Sequence, residues 1–229
     1  MVKSGVNWQN PSVGALMHFG GNNVLQVVYL HQWWRIISAT FVHVGLLHLA
    51  GNMWCLWNLG LLGEPLLGFF GVISVYLLTG AAGNLLSTIW NLFARDLIQV
   101  GAGASGAVFG IAGILIVLLS NRKLAEPRMG RPGIPWGELV ALRKSVIQFA
   151  VLNLFIGFAT ILGGPIRVDN TAHFGGFVCG LAMGVPLLPR MTSGREKYLR
   201  RQKIVFAAFA LLLALFARWI SVLVFGPKR

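Results

Sequence analysis

The sequence predicts an all-α polytopic membrane protein with six transmembrane helices. Three observations carry that prediction: long uncharged apolar runs, a scarcity of charge, and basic residues gathered into two loops. Of 229 residues, 56% are hydrophobic and 11% charged, whereas a soluble domain carries about 25% charged residues. So apolar a chain requires lipid as its solvent. Disorder, a disulfide scaffold and almost any water-soluble fold are excluded on composition. The 19 Lys and Arg against 6 Asp and Glu give a formal charge of +13, a surplus that elsewhere can mark a nucleic-acid binder. Here the basic residues lie between apolar runs and lack interleaved aromatics, so no nucleic acid is expected as a partner.

The elements follow in order. Residues 1–40 are read as an interfacial segment. No charge occurs between Lys3 and Arg35, yet Asn7, Asn10, Asn22, Asn23, Gln26 and Gln32 keep the segment polar, and Val24–Leu30 is too short to span. Trp8, Trp33 and Trp34 suit a membrane boundary. Short helices lying on the bilayer are expected there. Six spans follow, at about 41–63, 66–91, 103–120, 145–163, 171–188 and 204–225. The first five contain no Asp, Glu, Lys or Arg, and only Arg218 interrupts the sixth. Each run approaches the ~20 apolar residues a spanning helix needs. Strands are excluded because the runs are long and do not alternate. Residues 41–190 form the predicted five-span core, 191–203 a basic loop, and 204–229 an additional C-terminal helix. Cys55 and Cys179 lie inside apolar runs and read as small buried hydrophobes.

Loop charge sets the orientation. The 121–144 loop holds Arg122, Lys123, Arg128, Arg131, Arg143 and Lys144, and the 189–203 loop holds Arg190, Arg195, Lys197, Arg200, Arg201 and Lys203. Two spans separate them, so they share one side, which the positive-inside rule makes the cytosol. Membrane lipids, anionic ones in particular, are expected partners of these charges. The first, third and fifth spans then all enter from the outer side.

Polar groups inside spans are costly and point to function. His43, His48 and Asn52 sit in the first span, Ser105 at the start of the third, and His173 at the start of the fifth. The topology places them all at one shallow depth below the outer surface. Taken alone, Ser105 reads as a packing residue, since Gly106 and Gly110 form a small-residue stripe that repeats at Gly176, Gly180 and Gly184. The sharper reading is a nucleophile at a helix N-terminus, whose free N–H groups can hold an oxyanion. His173 could then take and return its proton. His48 and Asn52, four apart, share a helix face and could donate to the oxyanion. Asp169 or Asn170 could orient the imidazole. A zinc site would need His43, His48 and His173 to converge with a carboxylate or water, but no HExxH is present.

The combination of WWR at 33–35, HVGLLHLAGN at 43–52, GASG at 103–106 and AHFGGFVCG at 172–180 resembles the rhomboid intramembrane serine proteases over about residues 8–190. The resemblance implies a rhomboid-like helical bundle that cleaves single-pass membrane proteins in or near their transmembrane segments, with no metal and no cofactor. It implies Ser105 as nucleophile and His173 as base, a dyad without a required Asp. His48, Asn52 and the Ser105 N–H would form the oxyanion hole, with His43 completing the HxxxxHxxxN set. Trp34 and Arg35 would have a structural role in the first loop. Glu64 would tie loops together on the inner side. Gly103, Gly106, Gly176 and Gly180 would pack the catalytic helices. Phe109 stands where the family often has a Tyr stacked on the base, keeping the ring and losing the hydroxyl. The span at 204–225 is an extra one, as in larger members. The family core also has a spanning helix before the WR loop, and this sequence begins inside that loop, so the helix is expected upstream or is lacking. A bacterial inner membrane with the site on the extracytoplasmic side is the expected home. The alternative is a catalytically inactive rhomboid-like protein that binds membrane clients. Such proteins usually lose the serine or histidine, and both are present here.

Overall fold

The structure is a computed structural model, and it describes residues 6–127, 133–161 and 168–226. Among them the fold is helical, with one isolated antiparallel bridge between Asn22 and Gly101. The N-terminal segment contains a short helix α1 (Val13–His18), a π turn (Leu25–Tyr29) and α2 (Arg35–Ser38), which runs into a 3-10 turn (Ala39–Phe41). The long helices are α3 (Leu46–Leu67), α4 (Phe69–Phe93), α6 (Trp136–Ile161) and α8 (Arg195–Phe225), with α5 (Ser105–Leu118) and α7 (Asn170–Gly184) forming the centre.

Local sequence sets the boundaries. Ser12 caps α1 through the Ala15 N–H, and Asp169 caps α7 through the Ala172 N–H. Gly68, at φ +75°, ends α3 and opens α4 in a conformation that favours glycine. Pro135 stands just before α6, where a missing N–H costs nothing. Pro186 and Pro189 carry α7 over into a 3-10 turn, Val185–Arg190.

Four helices are long and apolar enough to cross a membrane: α4, α6, α7 with its 3-10 extension, and α8. A fifth candidate arises if Arg35–Phe41 and α3, bent by 95° at residues 42–45, count as one span. The six predicted spans therefore differ from the observed helices in identifiable ways. The third, expected over 103–120, is a helix of 14 residues, about 21 Å long against a hydrocarbon core of ~30 Å. The first starts at Leu46 rather than 41, because Gly45 at φ +104° turns the chain and packs against the Gln9 carbonyl. The fourth and sixth begin earlier than expected, at Trp136 and Arg195. Hydropathy marks only the apolar stretch, whereas these helices begin earlier, on first turns that carry charge: Glu138 in α6, and Arg195, Glu196 and Lys197 in α8. Most of the predicted 191–203 loop is accordingly helix. Residues 162–163 of the fourth predicted span, Arg128, Arg131 and most of the 164–170 loop lie outside the described residues.

α5 is buried almost all round, the signature of a central helix, and it packs against α3, α4, α6 and α7. Glycines permit the closest of these contacts. A Cβ on Gly176 would lie 2.0 Å from the Gly106 carbonyl oxygen, and one on Gly180 would lie 2.0 Å from that of Gly110. The α5 and α7 backbones therefore touch directly. α8 packs on α4. Near its C-terminal end Ile220 is fully buried among Val24, Val27, Val28, Ile36, Leu85 and Ile89. Near its N-terminal end Gln202 donates to the Leu67 carbonyl at 3.1 Å, satisfying an orphan acceptor at the end of α3.

Candidate active site

A cavity of about 450 Å³ opens among α3, α5, α6 and α7, lined by His48, Asn52, Ser105, Phe109, Asn153, Asp169 and His173 among others. The predicted residues of three separate spans thus meet in one place. Ser105 is the first residue of α5, and its Oγ lies 2.7 Å from Nε2 of His173, in the first turns of α7. The imidazole is 5% exposed. Phe109, one turn after Ser105, stacks on it with centroids 4.4 Å apart and planes at 18°. Nδ1 of His173 is buried without a partner among the described residues.

The two other histidines of the motif, His43 and His48, have their protons assigned by their neighbours. Nδ1 of His43 lies 3.3 Å from the Phe41 carbonyl, which can only accept, so Nδ1 carries the proton. Its Nε2 then accepts the Ala104 N–H at 3.4 Å, next to the serine. Nδ1 of His48 accepts the Val44 N–H at 3.3 Å, so its Nε2 carries the proton and is a donor. Gly103, at φ +139°, leaves room for this ring, since a Cβ there would lie 2.7 Å from Cε1 of His48 and 3.7 Å from Nδ2 of Asn52. Asn52 is buried and donates to the His48 carbonyl at 3.0 Å. His48, Asn52 and the first-turn N–H groups of α5 are thereby gathered beside Ser105.

The remaining predicted residues stand farther out. Arg35 is buried and clamps the first loop, donating to the Met17 carbonyl at 2.5 Å, the Gly21 carbonyl at 3.1 Å and Gln32 Oε1 at 2.7 Å. Its guanidinium lies 4.7 Å over the Trp34 ring, which is otherwise exposed. Glu64 is exposed on α3, and its carboxylate ties no loop among the described residues. Neither Asp169 nor Asn170 touches the imidazole. The Asp169 carboxylate accepts the Ala172 N–H and the Ser87 hydroxyl. The Asn170 amide is buried without a hydrogen-bond partner among the described residues, close to Gly157.

One set of supporting residues escapes sequence reasoning. Asn23 donates to the Leu97 and Gln99 carbonyls at 2.8 and 2.9 Å. The backbones of Asn22 and Gly101 exchange two hydrogen bonds of 2.8 Å. Asn22 Nδ2 donates to the Asn84 carbonyl and its Oδ1 accepts from Thr88. The Gly103 N–H donates to the Ala39 carbonyl at 3.0 Å. The strand-like loop that delivers Ser105 is thus held by the N-terminal segment and α4. The available signal was the spacing of Asn84, Ser87, Thr88 and Asn91, which share one face of an otherwise apolar helix.

Residues 30–190 match the family model of the Rhomboid domain. The chain belongs to the rhomboid family. Among curated proteins it is similar to RHOMBOID-like protein 2 of Arabidopsis thaliana, 32% identical over 89% of this chain and 61% of that protein. It is 30% identical to rhomboid protease GluP of Bacillus subtilis over 79% of this chain and 32% of the relative. It is 29% identical to rhomboid protease AarA of Providencia stuartii, over 72% and 59% respectively. The chain spans between about a third and three fifths of the length of these relatives. Rhomboid membership and the apolar helices together make it an integral, multi-pass membrane protein.

Proposed function

We propose that this rhomboid is an intramembrane serine endopeptidase that cuts transmembrane segments of single-pass membrane proteins with a Ser105–His173 dyad. The observation that carries the reading is the 2.7 Å contact between Ser105 Oγ and His173 Nε2 at the wall of a cavity. The Ser105 hydroxyl attacks the scissile carbonyl while His173 Nε2 takes its proton. The negative charge that develops on the carbonyl oxygen is met by His48 Nε2–H, the Asn52 amide and the Ser105 N–H. His173 returns the proton to the leaving amine, which leaves an acyl-enzyme. Water, deprotonated by His173, then releases the new carboxylate and restores Ser105. Phe109 holds the imidazole plane through these steps. A substrate helix hides its carbonyls in its own hydrogen bonds, so helix-breaking residues near the cut favour cleavage.

The short α5 fits this chemistry. In our reading the chain crosses the bilayer six times, and α5 begins below the outer surface, in a recess that admits water. The basic residues then face the cytosol and the dyad faces outward, in a bacterial inner membrane.

The test is cleavage of a single-pass substrate by the purified chain in liposomes, together with labelling by a fluorophosphonate probe. Wild type cleaves and is labelled, while Ser105→Ala and His173→Ala insert normally and do neither. Equal labelling of wild type and Ser105→Ala overturns the assignment. A folded wild type that neither labels nor cleaves leaves a rhomboid-like protein that binds clients without cutting them.

A further inference from the structure

We infer that Asp169 is a positioning residue that fixes Ser105 and His173 relative to one another through its shape and hydrogen bonds, without touching either. The inference rests on the protease reading. Three observations support it.

First, Oδ1 of Asp169 accepts the N–H of Ala172, the residue before His173, at 2.9 Å and so caps the start of α7. The Asp169 carbonyl also accepts the His173 N–H at 3.2 Å. The carboxyl therefore sets where α7 begins, and with it the height of the imidazole. Second, Oδ2 accepts the Ser87 hydroxyl from α4, and Ser87 in turn accepts from Asn91 at 3.4 Å. α7 is thereby pinned to the helix whose Asn84 and Thr88 hold Asn22. Third, the serine loop lies against the same carboxyl. A Cβ on Gly101 would sit 3.4 Å from Asp169 Oδ2 and 3.6 Å from Asn22 Cβ. Gly101 is thus wedged between Asp169 and Asn22, four residues before the nucleophile.

One small side chain consequently contacts all three parts that must agree: the histidine helix, the serine loop and the scaffold helix α4. Losing its contacts lets α7 and the loop move independently. A misplacement of about 1 Å can cost on the order of 10²-fold in rate. Asparagine has the same shape, its Oδ1 can keep the cap, and its amide can donate to Ser87 Oγ with the direction of that bond reversed.

The experiment follows fluorophosphonate labelling of the purified chain in liposomes, at several probe concentrations, to separate the maximal rate from half-saturation. Asp169→Ala and Ser87→Ala are expected to lower the maximal rate at least about tenfold with half-saturation little changed, whereas Asp169→Asn stays within about threefold of wild type. Ser87→Ala removes a single hydroxyl, so it decides the matter if Asp169→Ala does not fold. Wild-type rates in a folded Ser87→Ala or Asp169→Ala overturn the inference and leave the protease reading intact. An Asp169→Asn variant as impaired as Asp169→Ala also overturns it, because charge rather than shape would then be the requirement. A folded wild type that takes no label removes the protease reading itself, an outcome distinct from both.

Discussion

His48 Nδ1 accepts the Val44 N–H, and that one bond decides what the ring can do. It leaves the proton on Nε2, beside Asn52 and the wall that carries Ser105. A donor fixed before substrate arrives needs no rearrangement as charge develops, which is why such groups are effective. Asn52→Ala and His48→Ala should each lower kcat by about 10²–10³-fold, and Asn52→Ala should remain measurable. Steady-state cleavage in liposomes checks this, and an effect confined to KM would contradict a transition-state role. Phe109 is a second case. Its ring stacks on His173, so Phe109→Tyr, which keeps the ring, should preserve cleavage, and Phe109→Ala, which frees the imidazole plane, should reduce it.

Among the elements, α5 and α7 meet with so little space that glycine is a requirement rather than a preference. Gly176→Ala or Gly180→Ala would drive a methyl into the opposing carbonyl oxygen, and the helices must separate. A cost of about 1–3 kcal/mol is expected, as for other overpacked cores, together with loss of the Ser105–His173 contact. Gly60→Ala on α3, where a Cβ meets nothing within 4 Å, should leave the thermal unfolding temperature unchanged or raise it. Comparing the three variants by thermal unfolding in detergent separates packing from helix propensity. The cap of α7 adds a pH dependence. Burial pushes the Asp169 carboxyl above its ordinary value of 3.8, against the opposing pull of Ser87 and the Ala172 and Thr171 N–H groups. The native state then binds this proton more tightly than the unfolded chain. The associated stability is present below 3.8 and is lost as pH rises through the native value. Asp169→Asn has no proton to lose, so its advantage in unfolding temperature over wild type should grow from 3.8 upward and then level off. A constant difference would exclude the linkage.

On the scale of the whole molecule, the sequence was legible wherever lipid imposed a rule. The apolar runs located the helices, and the basic loops implied that His48, Ser105 and His173 share a depth, although they are far apart in the chain. The four motifs, in order, pointed to the family. What stayed hidden was the polar cage behind the serine loop. Asn22, Asn23, Asn84, Ser87 and Thr88 make mostly tertiary hydrogen bonds, and no period or spacing announces which partner each one finds. The short α5 and the early starts of α6 and α8 were hidden for another reason: hydropathy reports the solvent and not the helix. The same cage shows what α8 contributes. Ile220 is buried against Val24, Val27 and Val28, the stretch that follows Asn22 and Asn23, and against Ile36, which precedes the Ala39 carbonyl that holds Gly103. α8 therefore backs the segment that in turn holds the serine loop. Ile220→Ala should leave a cavity behind that segment and cost roughly 2–5 kcal/mol on the scale of buried Ile truncations. The N-terminal segment should become more susceptible to protease, and labelling of Ser105 should slow, although Ile220 is no part of the cavity that holds the dyad. Leu211→Ala on the same helix, at a position 61% exposed, removes a similar side chain from a lipid-facing surface and should change neither. If the two variants behave alike, α8 is an anchor only. If they differ as stated, α8, at the far end of the chain, belongs to the scaffold that sets the catalytic geometry.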